Sequence, residues 1–255
     1  MQGVPIIMNF TNKYSLALDY HENSKFPLVA QTYDPKVQYK IYPNTRAIAL
    51  EKNSYEKGHK KEDEFLRVIL QRKSTRDFSR KNIDFDSLSR LLTLSFGLRS
   101  DDGKSIFRTY ASAGRRFPVE VYAIVLRSDD MEKGIYHYNI CDNKVEIIKS
   151  GDYSGEIIEF YANQSDLVTL DVPCVILFSL VLERSMGKYG ERGYRFALLD
   201  AGHMSQNLYL VATYLNLGVV ALGAGIENDE KLNELLSLCN RESAFYGFFV
   251  GHPQT

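Results

Sequence analysis

The chain is expected to fold as an α+β domain, with a central sheet flanked by helices around one long helix. The strongest sign lies in the stretch 184–218, where Ala197, Ala201, Met204, Leu208, Val211 and Leu215 recur in steps of four and three, the spacing of one helix face. A second is VPCVILFSLVL at 172–182, a continuous apolar run of the kind a strand buried on both faces requires. The third is a pair of short strand-like segments within 135–149, separated by Asp142 and Asn143, which reads as a hairpin. Helices early in the chain, then strands interleaved with a hairpin and a long helix, predict a mixed or antiparallel sheet.

At 255 residues the chain is long enough to bury a full core. Residues 1–60 are polar and irregular, and Pro27, Pro35 and Pro43 favour extended backbone there. This segment reads as an arm laid over the body or over a partner subunit, with a disordered leader as the alternative. A domain at 61–255 follows. A helix from Asp63 carries Phe65, Leu66, Ile69 and Leu70; a second carries Leu88, Leu91, Leu92 and Phe96, with Asp84 as its N-cap and Gly97 as its stop. VEVYAIVLR at 119–127 is a strand, and residues 157–161 suit a short helix. The long helix, about 24 residues and so about 36 Å, ends where Gly218 occupies the position of a C-terminal cap. A buried strand follows it, then a helix near 230–238 and a last strand at 244–251.

Composition excludes several classes. Lys and Arg total 31 against 32 Asp and Glu, a formal charge of -1, so no global attraction to nucleic acid or an anionic membrane is expected. Cys141, Cys174 and Cys239 are odd in number and lack a C-x-x-C pair, which argues against a disulfide framework or a zinc site and for a reducing cytoplasm. The histidines at 21, 59, 137, 203 and 252 lack the i, i+4 pairing of helical metal sites, so no metal is expected. No run approaches 18 apolar residues and no signal peptide is evident, so a soluble protein is expected.

Five patches carry chemistry-bearing residues, each with an ordinary alternative. Arg72, Lys73, Ser74, Thr75 and Arg76 set three cations and two hydroxyls in five residues, a group that holds an anion or simply stays solvated. Ser112, Ala113, Gly114, Arg115 and Arg116 form a second basic loop just before a strand, where loops carry binding groups. Lys188 and Tyr189 lie between Gly187 and Gly190, in a loop at the mouth of the long helix; such a pair does acid–base work if burial or a neighbouring cation tunes it. Asp200, His203 and Asn207 share one helix face, and Gly202 beside them costs about 1 kcal/mol relative to Ala. A close ligand or backbone satisfies that spacing, and so does a solvent-facing stripe with Gly202 allowing tight helix packing. Gly223, Ala224 and Gly225 end a strand in a turn that admits a phosphate or ring contact, a weak signal alone.

Taken together, these stretches resemble the FMN-dependent nitroreductase fold, and within it the SagB-type dehydrogenases that oxidise azolines to thiazoles or oxazoles in modified peptides. The resemblance is carried by YHENSK at 20–25, RKSTRDF at 72–78, SAGRRFPVEVY at 112–122, GIYHYN at 134–139, KYGERGYRFALLDAGHMSQNLYL at 188–210 and LGAGIENDEKL at 222–232. It implies an intertwined homodimer with FMN at the subunit interface, a heterocyclised peptide substrate and association with a cyclodehydratase complex. By resemblance, Arg72, Lys73, Ser74 and Arg76 are flavin phosphate and ring-edge contacts. Ser112, Ala113, Gly114 and Arg115 form the loop that meets the isoalloxazine and ribityl chain, and Gly223, Ala224 and Gly225 form the backbone edge near the ring. Where many nitroreductases add a basic phosphate contact near the end, this chain offers His252.

Lys188 and Tyr189 match the Lys-Tyr pair of azoline oxidases. Aromatising an azoline removes a proton from the ring carbon next to the carbonyl and two electrons from its neighbour, so a base and a hydride acceptor are both needed. The resemblance gives the proton to Tyr189 assisted by Lys188, or to Lys188 itself, the hydride to FMN N5, and the final electrons to oxygen. Three rivals remain: an NAD(P)H-dependent nitroreductase or quinone reductase, a non-catalytic flavoprotein-like scaffold in a peptide-modifying complex, and a dehydrogenase of carrier-bound or small heterocycles. KYG at 188–190 argues against the first.

Overall fold

The computed structural model describes residues 15–24, 40, 46, 48–49, 64–99, 107–162, 171–222, 229–239 and 242–254. Its strands are β1 (Leu98–Arg99), β2 (Phe107–Arg108), β3 (Val119–Val125), β4 (Gly134–Asn139), β5 (Lys144–Ser150), β6 (Cys174–Leu180), β7 (Gly218–Leu222) and β8 (Ser243–Gly251). The helices are α1 (Ser15–Asn23), α2 (Glu64–Gln71), α3 (Phe85–Phe96), α4 (Ser154–Phe160), α5 (Leu182–Tyr189), α6 (Arg192–Tyr214) and α7 (Asp229–Leu236).

Six strands form one sheet in the order β5-β4-β3-β6-β8-β7, and every neighbouring pair is antiparallel. The choice between a mixed and an antiparallel sheet is thereby resolved. Strand side chains alternate between two covered faces. Along β6, Cys174, Ile176, Phe178 and Leu180 join one apolar cluster, while Val175 and Leu177 join the other. The first face packs on α3 and α6 through Leu91, Phe96, Met204 and Leu208; the second packs on α4 and α7 through Ile157, Phe160 and Leu232. Two covered faces explain why β6 reads as an unbroken apolar run. Phe178 meets Phe96 edge-on with ring centroids 5.4 Å apart, at the centre of the first layer.

The expected cap of α3 is present: the Asp84 side chain accepts from the Ser87 N–H at 2.7 Å. At its other end Gly97 sits at φ -66, so it is not there for a left-handed turn. Its absent Cβ would stand 2.4 Å from the Thr93 carbonyl oxygen.

The central helix has the expected length, but two expectations about it need correction. It runs from Arg192 to Tyr214, 23 residues, and stops before Gly218. Asn216 takes the left-handed turn at φ 57, and the Leu217 N–H closes back onto the Ala212 carbonyl at 2.8 Å, as a Schellman cap does. Gly218 instead opens β7, where a Cβ would collide with the Thr75 side chain at 2.6 Å. Gly202 faces open space, with nothing within 4 Å of where a Cβ would stand, so it permits no close packing within the described residues. The close approach belongs to Gly193, whose Cβ would stand 2.6 Å from the Met186 Cα, letting α5 and α6 touch backbone to backbone. Ser185 Oγ seals that crossing by donating to the Gly193 carbonyl at 2.8 Å.

Within the stretch expected to be irregular, Ser15–Asn23 is helical. Its Ala17 N–H donates to Glu191 at 2.8 Å, and the buried His21 pairs with the Tyr194 hydroxyl at 3.0 Å, pinning α1 to the start of α6. No helix among the described residues is long and apolar enough to cross a membrane.

Candidate active site

The Lys188–Tyr189 pair is not in a loop. It forms the last turn of α5, where Gly190 at φ 61 ends the helix and turns the chain into α6. Lys188 Nζ lies 5.2 Å from the Tyr189 ring centroid, and the Tyr189 ring stands edge-on to Phe196 of α6 at 5.0 Å. In the single chain Lys188 is exposed and Tyr189 half-buried.

The second basic loop meets this pair directly. Ala113–Arg115 forms one turn of 3-10 helix with Gly114 at φ 57. A Cβ on Gly114 would stand 2.1 Å from the Tyr189 hydroxyl oxygen and 2.7 Å from Lys188 Nζ. Phenol and ammonium therefore converge on one point above a bare backbone carbon. Only glycine leaves that space open.

The polar stripe of α6 holds this loop. Asp200, 2% exposed, accepts from Ser112 Oγ at 2.5 Å and from the Ala113 N–H at 3.1 Å. Burial pushes the Asp200 carboxyl above its ordinary value, against the two hydrogen bonds. His203 Nδ1 pairs with the Ala111 carbonyl at 3.1 Å, and Asn207 donates to the Thr109 carbonyl at 3.0 Å. Asp200 is buried, Asn207 half-buried and His203 exposed, and all three bond to the chain's own 109–113 segment. The spacing of the stripe was the available signal, and only the fold supplies its addressee.

A network unseen in the sequence anchors α5 from the other side. Arg184, one turn before Lys188, pairs with Glu120 of β3 and donates to the Phe117 carbonyl at 3.1 Å, while Arg116 Nε donates to the Arg184 carbonyl at 2.8 Å. Glu120 also meets His137 Nε2 at 3.0 Å, and Glu146 meets Nδ1 at 3.3 Å. Burial works against the Glu120 carboxylate, but the His137 and Arg184 bonds hold its pKa below the ordinary value. The Glu120 hydrogen bond, with that of Glu146, raises the His137 pKa. Apart from His137 and Glu146, these partners are 17 to 68 residues apart in sequence, beyond any local pattern.

The first basic cluster lies elsewhere. Ser74 bridges to Val219 of β7, and its hydroxyl is 3.4 Å from that of Tyr209, which accepts the Ala221 N–H at 2.7 Å. The Arg72 guanidinium lies 5.6 Å from the Tyr209 ring centroid. Arg72, Lys73 and Arg76 have no carboxylate partner among the described residues, as suits a site for a phosphate. His252 lies beside this segment, its carbonyl accepting the Ser79 N–H at 2.9 Å. Burial, with Lys81 nearby, lowers its pKa. Gly223, Ala224 and Gly225 lie outside the described residues.

Along α6, Asp200 and Tyr209 are nine residues apart, about 14 Å of rise and two and a half turns, so they mark opposite sides of the helix. The structure brings Lys188, Tyr189 and Gly114 together and holds Arg72 and Ser74 apart from them.

Fold and site define a member of a known class: the nitroreductase family model matches residues 69–252, and the chain belongs to that family. Among its relatives, a protein of Methanocaldococcus jannaschii described as a nitroreductase is 30% identical over 67% of this chain and 83% of its own length. The microcin B17-processing protein McbC of Escherichia coli is 29% identical over 55% of this chain. The alignment spans 53% of McbC. Among solved structures, the E. coli microcin synthetase McbBCD complex with truncated pro-MccB17 contains a chain of the same fold, with a TM-score of 0.72 at 20% identity, covering 100% of this chain and 99% of that one.

Proposed function

We propose that this protein is an FMN-dependent dehydrogenase that converts thiazoline or oxazoline rings of a ribosomally made peptide to thiazole or oxazole. The observation that carries the proposal is the convergence of Tyr189 and Lys188 on Gly114. The relatedness to a microcin-processing protein supports a peptide substrate, and the fold shared with a chain of a synthetase complex supports work within a cyclodehydratase assembly. A cytoplasmic setting agrees with three unbonded cysteines.

The cofactor fits on one observation: three cations without carboxylate partners among the described residues, beside the Ser74 and Tyr209 hydroxyls. Arg72, Ser74 and Arg76, with Lys73, would hold the phosphate, and Ser112–Arg115 would face the ring; Gly223–Gly225 are assigned the ring edge by resemblance alone. Bound FMN supplies a two-electron acceptor that oxygen regenerates. Because the two residue sets lie on opposite sides of α6, a second copy of the chain would complete each site, which supports a homodimer.

The chain's own residues supply the base. Loss of two hydrogens from the azoline sends one off as a proton, from the ring carbon beside the carbonyl. Tyr189 Oη or Lys188 Nζ, in its deprotonated form, accepts it, and the other group stabilises the charge that changes hands. Arg184 and Phe196 fix the helix turn that presents both groups.

A reductase reading is favoured by one finding, the more fully covered relative described as a nitroreductase. It needs the same flavin contacts but no base. Replacing Lys188→Ala and Tyr189→Phe together separates the two. The proposal expects bound FMN with azole formation abolished; retained turnover removes the pair from the mechanism.

A further inference from the structure

We infer that Asp200 is the positioning residue of this site: from the buried side of α6 it holds the 111–117 turn in a strained shape that keeps Gly114 against Tyr189 and Lys188. The inference rests on the function proposed above and extends it to a buried residue of α6.

One carboxylate holds the start of the turn, and Ser112 relays that hold to its end. Asp200 Oδ2 accepts from Ser112 Oγ and Oδ1 from the Ala113 N–H, while the same Ser112 Oγ accepts the Phe117 N–H at 2.9 Å. Between these points the backbone is left-handed at Gly114 (φ 57), Arg115 (φ 54) and Phe117 (φ 46). An arginine or a phenylalanine stays in that region only where its surroundings over-determine it. Here they do. His203 takes the Ala111 carbonyl on the α6 side, and Arg184 takes the Phe117 carbonyl on the α5 side. The turn is therefore clamped between the helix that carries Asp200 and the helix that carries Lys188 and Tyr189.

The consequence is specific to a carboxylate. Ser112 already accepts from Phe117, so its own proton must go to an acceptor, and the Ala113 N–H needs a second one. Asp200 offers two acceptor oxygens; asparagine offers one, plus a donor that clashes with one of these N–H or O–H groups. Asp200→Asn is thus expected to release one end of the turn while the apolar packing of Ala197, Ala201 and Met204 around it stays in place.

The test uses the full chain, first without flavin. Hydrogen exchange at the Ala113 and Phe117 amides should quicken at least tenfold in Asp200→Asn and in Ser112→Ala, and trypsin should cut faster after Arg115 and Arg116. With FMN bound, kcat for azoline dehydrogenation should fall at least tenfold while KM stays within twofold. Unchanged exchange at both amides, or a loss confined to KM, overturns the inference. If Asp200→Asn fails to fold, Ser112→Ala decides alone. If the unaltered protein does not oxidise an azoline, the proposed function fails, and the exchange experiment still decides for or against Asp200.

Discussion

Gly114→Ala is the perturbation whose effect the structure fixes most tightly. Its Cβ would stand 2.1 Å from the Tyr189 hydroxyl oxygen, 2.7 Å from Lys188 Nζ and 3.1 Å from Tyr189 Cζ. An ordinary contact begins near 3.4 Å, so the phenol oxygen must retreat by about 1.3 Å. The ring cannot slide freely, because Phe196 stands edge-on against it at 5.0 Å. Displacing a reacting group by about 1 Å costs on the order of a hundredfold in rate, about 2.7 kcal/mol. Alanine at φ 57 adds a separate cost of about 1–2 kcal/mol to folding. Two assays separate these effects. Single-turnover azole formation at saturating FMN, followed as a loss of two hydrogens by mass spectrometry, should slow about a hundredfold. Urea unfolding should show the smaller stability loss. A kcat within twofold of the unaltered enzyme, with the stability loss present, would refute the claim that Gly114 keeps space for the Lys188–Tyr189 pair.

Other parts of the molecule yield further tests. Because His137 has its pKa raised by Glu120 and Glu146, its contribution to stability is complete below the unfolded value of about 6.5 and disappears as pH rises through the folded value. His137→Gln should flatten the alkaline side of the urea-midpoint profile; an unchanged slope would contradict the network. Asp84→Ala should cost about 1 kcal/mol and lower Tm by about 2–4 °C by removing the N-cap of α3. The lowered Asp84 pKa makes that stabilisation fade as pH falls through the folded carboxyl value, so variant and parent should converge in acid. Arg72→Ala with Arg76→Ala should weaken FMN at least tenfold in a fluorescence titration, with unfolding nearly unchanged; parental affinity would move the phosphate site elsewhere.

Much of this was legible in the residues. The step pattern of Ala197, Ala201, Met204 and Leu208 named a helix face, and those residues do form the apolar side of α6. Asp84 named the cap of α3, and the apolar run at 172–182 named a strand with two covered faces. What failed was local chemistry with more than one solution. Gly218 stood at a plausible cap position, but Asn216 tolerates the left-handed turn and a tighter Schellman closure won. Lys188 and Tyr189 sat between glycines and read as loop, yet they close a helix that Arg184 ties to β3. The stripe of Asp200, His203 and Asn207 was visible as a pattern without an object, because its partners lie 87 to 112 residues away. The link from Gly114 to Tyr189 likewise exists only in three dimensions.

The most direct test of the proposed function is anaerobic mixing of the flavin-loaded protein with an azoline-bearing peptide in one experiment and NADPH in another. The peptide should bleach the flavin and emerge two hydrogens lighter, and Lys188→Ala with Tyr189→Phe should abolish this without releasing FMN. Bleaching by NADPH alone, with the peptide unchanged, would contradict that function and make the protein a reductase whose Lys188–Tyr189 pair is structural.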